Sequence, residues 1–503
     1  MNALLSAPLE TSLLAAWRRI DPHARAGFFA ALLVSVLGFG FEMTNLILHH
    51  DDVVQIFIQD TILGHYLGRF GVGALHYYVQ GHFFMPFLQM AQGIVFMAIY
   101  GVVVARFWGA QRPLDIALVA SVVCVFPYMA QVYQYNTSMA TYTLAHLLAA
   151  GAVVLSARGR VVAVLGGAAL HVAAFSIYQS VVTNAVAIFI IWLLMRLLFP
   201  ALGPDFRSRA TARATVGVLI ALLVGGAVYY AIVPLMKIQF DAYQSAEEAF
   251  KPGAGVNFRV ALPIIAQGTR QFFFWPEAYF PITLKQAQLV FVGAAGLACL
   301  LLPGSWWRRG AALVLLGGAC LAPRSLQLLH ADGHFHELTL TAYALVVAAS
   351  ILVVLKAAPN LLRSAAAVLA AMILWGYLLQ CNWISTVNEL NTRAHFAMTT
   401  QVLARVRSVP DAKWDGKKIA VVGEYDMRQD YPFIRATGVA SEFMRAHHMN
   451  LMARLLRDEA VFVSAEPTMP GVMEFAAMSP QWPHPASVGI VNGVGVVVLG
   501  KNR

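Results

Sequence analysis

The sequence predicts an all-α polytopic membrane protein with about eleven transmembrane helices and a small extracytoplasmic α/β domain at its carboxyl end. Three observations carry that prediction. Of 503 residues, 59% are hydrophobic and 12% charged, and the mean hydropathy is +0.66, far from the balance of a soluble globular chain. The apolar residues gather into runs long enough to cross about 30 Å of hydrocarbon as helices, which satisfy their own backbone where no water can. The basic residues give a net charge of +10. They follow the ends of those runs instead of concentrating in a polar domain, so they report topology and not a nucleic-acid partner.

The first run, at about 27–48, follows Arg18, Arg19 and Arg25 and lacks the short apolar core and small-residue exit of a cleavable signal, so it is a retained span. Further spans are expected near 83–105, 114–132, 139–156, 161–178, 181–199, 214–236, 286–302, 310–322, 338–355 and 361–380. The run ending at Leu321 is short enough to be re-entrant. With the amino terminus in the cytoplasm, Arg106, Arg112, Arg158, Arg160, Arg207, Arg209, Arg213, Arg308, Arg309, Lys356 and Arg363 all fall inside. Residues 1–380 then form a bundle with outward loops at 49–82, 237–285 and 323–337, and 381–503 form the extracytoplasmic domain.

That tail is richer in charge and has no spanning run. Strand-like stretches at 418–423 and 494–499 flank an expected helix over 440–457. Its glycines, Gly423, Gly489, Gly493 and Gly495, make no Gly-x-Gly-x-x-Gly turn opening a helix, so no nucleotide cofactor is expected. Four widely separated cysteines, Cys124, Cys299, Cys320 and Cys381, indicate neither a disulfide framework nor a zinc site.

The first outward loop opens with His49-His50-Asp51-Asp52. Adjacent carboxylates repel, which raises the pKa of one and suits it to take a proton from a hydroxyl as a general base. The same four residues suit a divalent cation through oxygen and imidazole donors, and they equally suit a solvated loop start. About two turns earlier, Glu42 stands in an apolar helix, where a carboxylate must face the bundle interior or a watery cavity, or pair with a neighbour such as Asn45. Arg69, after Gly68, offers a planar fork of donors for a phosphate, or an anchor at the headgroups.

Tyr178 and Gln179 lie at an outer helix end with too little loop to solvate them, so they point inward, towards a sugar or a neighbouring helix. The second loop carries Arg270 within an Arg-Gln-Phe-Phe-Phe-Trp-Pro-Glu run that suits interfacial helices. In the third, Arg324 falls where a lipid-linked phosphate rests, although snorkelling places an arginine there too, and His336 ends a polar cluster that fits no spaced zinc motif.

Together these features resemble the Gtr type II family of integral-membrane glucosyltransferases, which modify bacterial O-antigen. The likeness rests on the outward Asp51-Asp52 pair, on Gly68-Arg69-Phe70, on Tyr178-Gln179, on the many spans and on a polar carboxyl-terminal segment; the preceding His49-His50 departs from the pattern. The resemblance implies a GT-C type fold whose outward loops take a hexose from a polyprenyl-phosphate donor and pass it to a glycan acceptor, on the periplasmic face of a bacterial inner membrane. It implies that Asp51 or Asp52 activates the acceptor hydroxyl, that Arg69 or Arg324 stabilises the leaving phosphate, and that Tyr178 and Gln179 hold sugar. Glu42, Arg270 and His336 complete the candidate substrate-binding set.

Two other functions use the same membrane and substrate class: a transporter or flippase for a polyprenyl-linked sugar, and an O-antigen polymerase or ligase. Transporters place binding groups near the midplane of duplicated halves. Here the polar groups collect at outer helix ends and no duplication is apparent, which favours a transferase.

Overall fold

The computed structural model describes residues 15–48, 52, 56, 68–81, 83–202, 206–236, 258–303, 305–328, 336–409, 414, 416–431 and 443–500. These divide into two compact units. The first takes its described residues from Met1–Met43, Asp60–Tyr133 and Thr137–Cys381, and the second from Thr44–Gln59, Gln134–Asn136 and Asn382–Arg503.

The helices of the first unit begin with α1 (Pro22–Thr44), the short α2 (Phe70–Leu75), α3 (Pro86–Phe107), α4 (Pro113–Cys124) and α5 (Tyr128–Tyr133). They continue with α6 (Met139–Ser156), α7 (Val161–Ile177), α8 (Val181–Leu198) and α9 (Arg209–Leu235). The series closes with α10 (Phe258–Phe274), α11 (Ile282–Leu300), α12 (Trp306–Leu321), α13 (Tyr343–Ala357) and the first part of α14 (Asn360–Arg407). Each predicted apolar run overlaps helix, the one over 114–132 being divided between two. Among the described residues eight helices are long and apolar enough to cross a membrane, and α4, α7 and α13 are shorter apolar helices.

Local chemistry sets the boundaries. Proline occupies the first turn of α3 and α4, where its missing N–H costs nothing. The Ser208 hydroxyl accepts from the Thr211 amide at 3.1 Å and caps α9. The run expected as one span over 114–132 is instead two helices, because Pro127 cannot donate to the preceding turn and disfavours helical geometry at Phe126. The run ending at Leu321 does not stop there: it passes into a 3₁₀ turn, making one apolar stretch from Trp306 to Leu328.

Close packing between these helices uses small residues, since lipid supplies no hydrophobic drive to bring apolar helices together. A Cβ at Gly101 of α3 would stand 2.8 Å from the Ala120 backbone of α4, and one at Gly217 of α9 would stand 2.6 Å from the Ser156 carbonyl. α6 packs on α3, α7 and α8, and α7 packs on α9, so these helices form one connected group.

In the second unit, helix α14 runs unbroken through the composition change at Cys381, because no Gly or Pro interrupts it between Gly376 and Pro410. Strands β1 (Lys418–Val422), β4 (Val461–Ser464), β5 (Val488–Val491) and β6 (Val494–Val498) form a sheet of order β4-β1-β6-β5, with β5 antiparallel to β6 and the other pairs parallel. Val402 and Val406 of α14 bury with Ile419 and Val421 of the sheet. Part of the expected 440–457 helix is strand: β3 (Phe443–Met444) pairs with β2 (Tyr425–Asp426), and the helix α15 covers Ala446–Leu455. The last helix, α16, spans Pro470–Met478.

Between α10 and α11 the Lys285 ammonium lies 2.8 Å from Glu277 and donates to the Trp275 carbonyl at 2.6 Å. The Tyr128 hydroxyl donates to the same carboxylate at 2.9 Å. Burial raises the Glu277 carboxyl above its ordinary pKa, against the pull of Lys285. The Lys285 side chain is 1% exposed and that of Glu277 30%. Removing the acid therefore strands a buried cation, whereas removing the lysine leaves a carboxylate that water still reaches. Glu277→Gln is expected to cost on the order of 3–5 kcal/mol and Lys285→Met distinctly less, read as the order of melting temperatures in detergent.

Candidate functional site

The first unit brings Arg69, Tyr178 and Gln179 together, although they are far apart in sequence. Arg69 stands just before α2, and Tyr178 and Gln179 occupy the tight connection between α7 and α8. The Arg69 Nε donates to the Gln179 side-chain oxygen at 3.3 Å, and its Nη1 donates to the Tyr142 hydroxyl at 2.6 Å. Its guanidinium carbon lies 5.4 Å and 5.2 Å from the ring centroids of Tyr142 and Tyr178, which stack on each other at 4.5 Å. Two ring quadrupoles and two oriented acceptors thus fix one cation.

Gln179 is engaged on both sides. Its amide nitrogen donates to the Tyr229 hydroxyl at 2.8 Å, and that hydroxyl donates to the Gly68 carbonyl at 3.1 Å. Gly68 has φ +68, and a Cβ there would press to 2.8 Å from the Tyr229 oxygen, so this turn favours glycine. The Gly-Arg pair is therefore a local device: the glycine permits the turn, and the turn sets the arginine on its partners.

Beneath Tyr142 a buried polar chain continues. The His146 ring contacts the Tyr142 carbonyl at 2.8 Å and the Thr341 hydroxyl at 2.9 Å. Asn184 donates to that hydroxyl at 3.2 Å and accepts from Tyr100 at 3.1 Å. Sequence reasoning did not single out Tyr142, Tyr229 or His146. The available signal was a run of polar residues in the 131–138 turn directly before α6, which the fold buries: Gln131, Gln134, Asn136, Thr137 and Ser138 are all inside.

Arg324 forms a second group in the same unit. It lies in the 3₁₀ turn after α12, packed on Gly268 of α10, where a Cβ would fall 2.5 Å from the guanidinium carbon. Its Nε donates to the Tyr343 hydroxyl at 3.2 Å, and that hydroxyl donates to Thr269 at 3.3 Å. Arg270 is on the exposed side of α10, and His336 is exposed at the start of the 3₁₀ turn Glu337–Thr339. Glu42 is buried on α1, one turn after Phe39, whose ring packs on Tyr133 at 4.5 Å.

In the second unit Asp52 is fully buried. Its carboxylate accepts from the Asn136 amide at 2.7 Å, and the same amide donates to the Ile47 carbonyl at 2.5 Å. Asp51, His49 and His50 lie outside the described residues, as does the loop stretch 237–257. Among the described residues no three His, Cys, Asp or Glu side chains gather as metal ligands.

The family model of glucosyl transferase GtrII matches residues 40–402, well over half of the chain and all of the arginine and aspartate groups above. The chain belongs to the GtrII family of glucosyl transferases. It is a glycosyltransferase, and as such it works on a donor and an acceptor. Neither the comparison with curated proteins nor that with solved structures yields a match. The match ends before the sheet of the second unit, so a cleft of about 720 Å³ in this GtrII protein, beside Tyr425, Arg428 and Trp482, lies outside the family region.

Asn136 supplies a donor to a buried carboxylate. Asn136→Ala removes it at a cost of about 1–3 kcal/mol, and Asn136→Asp, which sets a second acid against Asp52, is expected to lower the melting temperature further. Thermal unfolding of the two variants in detergent checks the order.

Proposed function

We propose that the chain transfers a hexosyl unit, glucosyl by its family, from a polyprenyl-phosphate donor to a cell-surface glycan such as O-antigen, on the periplasmic face of a bacterial inner membrane. The observation that carries this reading is the Arg69 guanidinium, held by two hydrogen-bond acceptors beside a stacked pair of tyrosine rings at one end of apolar helices long enough to span lipid. A lipid-linked donor rests with its chain in hydrocarbon and its phosphate at headgroup depth, where a preset planar cation recognises it.

The reaction divides among the residues by charge. The acceptor oxygen attacks the anomeric carbon and its proton passes to Asp51 or Asp52. The bond from that carbon to the phosphate oxygen breaks, and the departing phosphate keeps the electron pair. Negative charge grows on that phosphate, so a fixed cation stabilises the transition state more than the ground state. Arg69 fills that role, with Arg324 as the other candidate. With both sides of its amide engaged, Gln179 positions Arg69, and Tyr178, buried and stacked on Tyr142, sets its ring beside the same cation. The carrier also explains how sugar activated inside the cell reaches an outward site. The amino terminus then lies in the cytoplasm and the carboxyl-terminal domain in the periplasm.

Full-length protein in vesicles, supplied with labelled polyprenyl-phosphoglucose and an acceptor glycan, is expected to move label to the glycan, and UDP-glucose alone is not. Arg69→Lys keeps the charge but not the fork, and is expected to lose roughly 10²–10³ in rate. Asp51→Asn and Asp52→Asn are expected to differ, the general base losing roughly 10²–10⁴. A fully active, normally inserted double asparagine variant removes the aspartates from the mechanism, and direct use of UDP-glucose overturns the donor assignment.

A further inference from the structure

The helices that carry the Arg69 group have opposite ends, and a second set of arginines converges there. Tyr142 is in the first turn of α6, whereas Arg158 follows its last turn; Gln179 precedes α8, whereas Arg196 lies in its last turn. Tyr229 is in the second half of α9, whereas Arg213 is near its start. The sixteen-residue step from Arg213 to Tyr229 along α9 is about 24 Å at 1.5 Å per residue. With the reach of the side chains that approaches the roughly 30 Å thickness of hydrocarbon, so a bundle that crosses the bilayer sets the two groups near opposite headgroup levels.

Arg158, Arg196 and Arg213 line one cavity of about 310 Å³, together with Trp192, Phe107 and Thr211. No carboxylate lines it, and no ion pair to any of the three arginines occurs among the described residues. Arg196 Nη1 is buried and has no hydrogen-bond partner, an arrangement that is costly unless a ligand supplies the acceptor. The cavity is also built by the backbone. Gly159 adopts φ +66, and a Cβ there would stand 2.6 Å from Arg213 Cγ, so the α6–α7 turn lies directly on the Arg213 stem and brings Arg158 beside it. Part of the lining is apolar: Phe107 stacks on Trp192 at 5.5 Å, and the Arg196 guanidinium lies 5.5 Å from the Trp192 ring centroid.

We infer that this cavity binds the phosphate of an anionic lipid headgroup in the leaflet opposite the Arg69 group. Three forked donors match phosphate oxygens, and the apolar part of the lining matches the start of an acyl chain. A freely diffusing anion would use the arginines but leave that part without a partner. The site is independent of glucosyl transfer, so it stands or falls apart from the donor assignment.

The test is native mass spectrometry of the full-length protein in detergent, titrated separately with phosphatidylglycerol, phosphatidylcholine and inorganic phosphate. The wild type is expected to retain phosphatidylglycerol in preference to phosphatidylcholine. Arg196→Gln is expected to weaken that binding by roughly tenfold, and the triple variant Arg158→Gln, Arg196→Gln, Arg213→Gln to abolish the preference. Arg160→Gln, a change of equal charge two residues on from Arg158 in the same turn but outside the cavity lining, is expected to bind as the wild type does. Melting temperature in the same detergent confirms that each variant is folded. Equal retention of the two lipids by the wild type, wild-type binding by the triple variant, or an Arg160→Gln loss as large as that of Arg196→Gln overturns the site. Inorganic phosphate that displaces phosphatidylglycerol at equal concentration overturns the lipid assignment in favour of a free-anion site.

Discussion

A cation fixed at the end of an apolar helix bundle is the constraint around which the first unit is arranged. Charge in or beside hydrocarbon is costly unless its environment is built for it. Arg69 has such an environment: Tyr142 and Gln179 accept from its guanidinium, and a stacked pair of rings lies beside it. Gln179 is in turn held by Tyr229, and Tyr229 by Gly68. The same turn that frees Arg69 from helical geometry thus supplies the carbonyl that closes the loop of contacts. A cation held by so many groups is already oriented before any ligand arrives, which is the condition for electrostatic stabilisation of a leaving group.

The rest of the bundle serves that arrangement by bringing helix ends to common depths. Glycine contacts let α3 and α4, and α6 and α9, approach closely, and the buried chain from His146 through Thr341 to Asn184 and Tyr100 ties α6 to the turn before α13, to α8 and to α3. Polar groups in such a chain are each satisfied by the next, so the helices cannot slide past one another without breaking several bonds at once. Asp52 follows the same logic in the second unit, where Asn136 meets a carboxylate that is entirely out of water.

Much of this was legible in the sequence, for physical reasons that differ from residue to residue. Apolar runs are dictated by lipid thickness, so the helices were readable, and Gly68-Arg69 with Tyr178-Gln179 were readable because polar groups at helix ends without loop to solvate them must turn inward. The break at Pro127 was in plain view, yet hydropathy alone joined its two sides. The unbroken α14 was hidden by the opposite error: composition changed at Cys381, but a helix ends at glycine, proline or a cap, none of which is there. Tyr142, Tyr229 and Asn136 were not legible, because nothing in a single chain says which helix will neighbour which. The expected helix over 440–457 gives way to strand at Phe443–Met444, where pairing with Tyr425–Asp426 overrides local preference.

In the proposed function the guanidinium of Arg69 receives the phosphate of a lipid-linked sugar. A polyprenyl-phosphoglucose bearing a photoreactive group beside its phosphate, cross-linked to the full-length protein in vesicles and mapped by peptide mass spectrometry, addresses it directly. Adducts concentrated at the start of α6 and at the α7–α8 connection, displaced by unlabelled donor and lost in Arg69→Ala, are the predicted result. Displaceable adducts confined to other helices, unchanged by that substitution, contradict it.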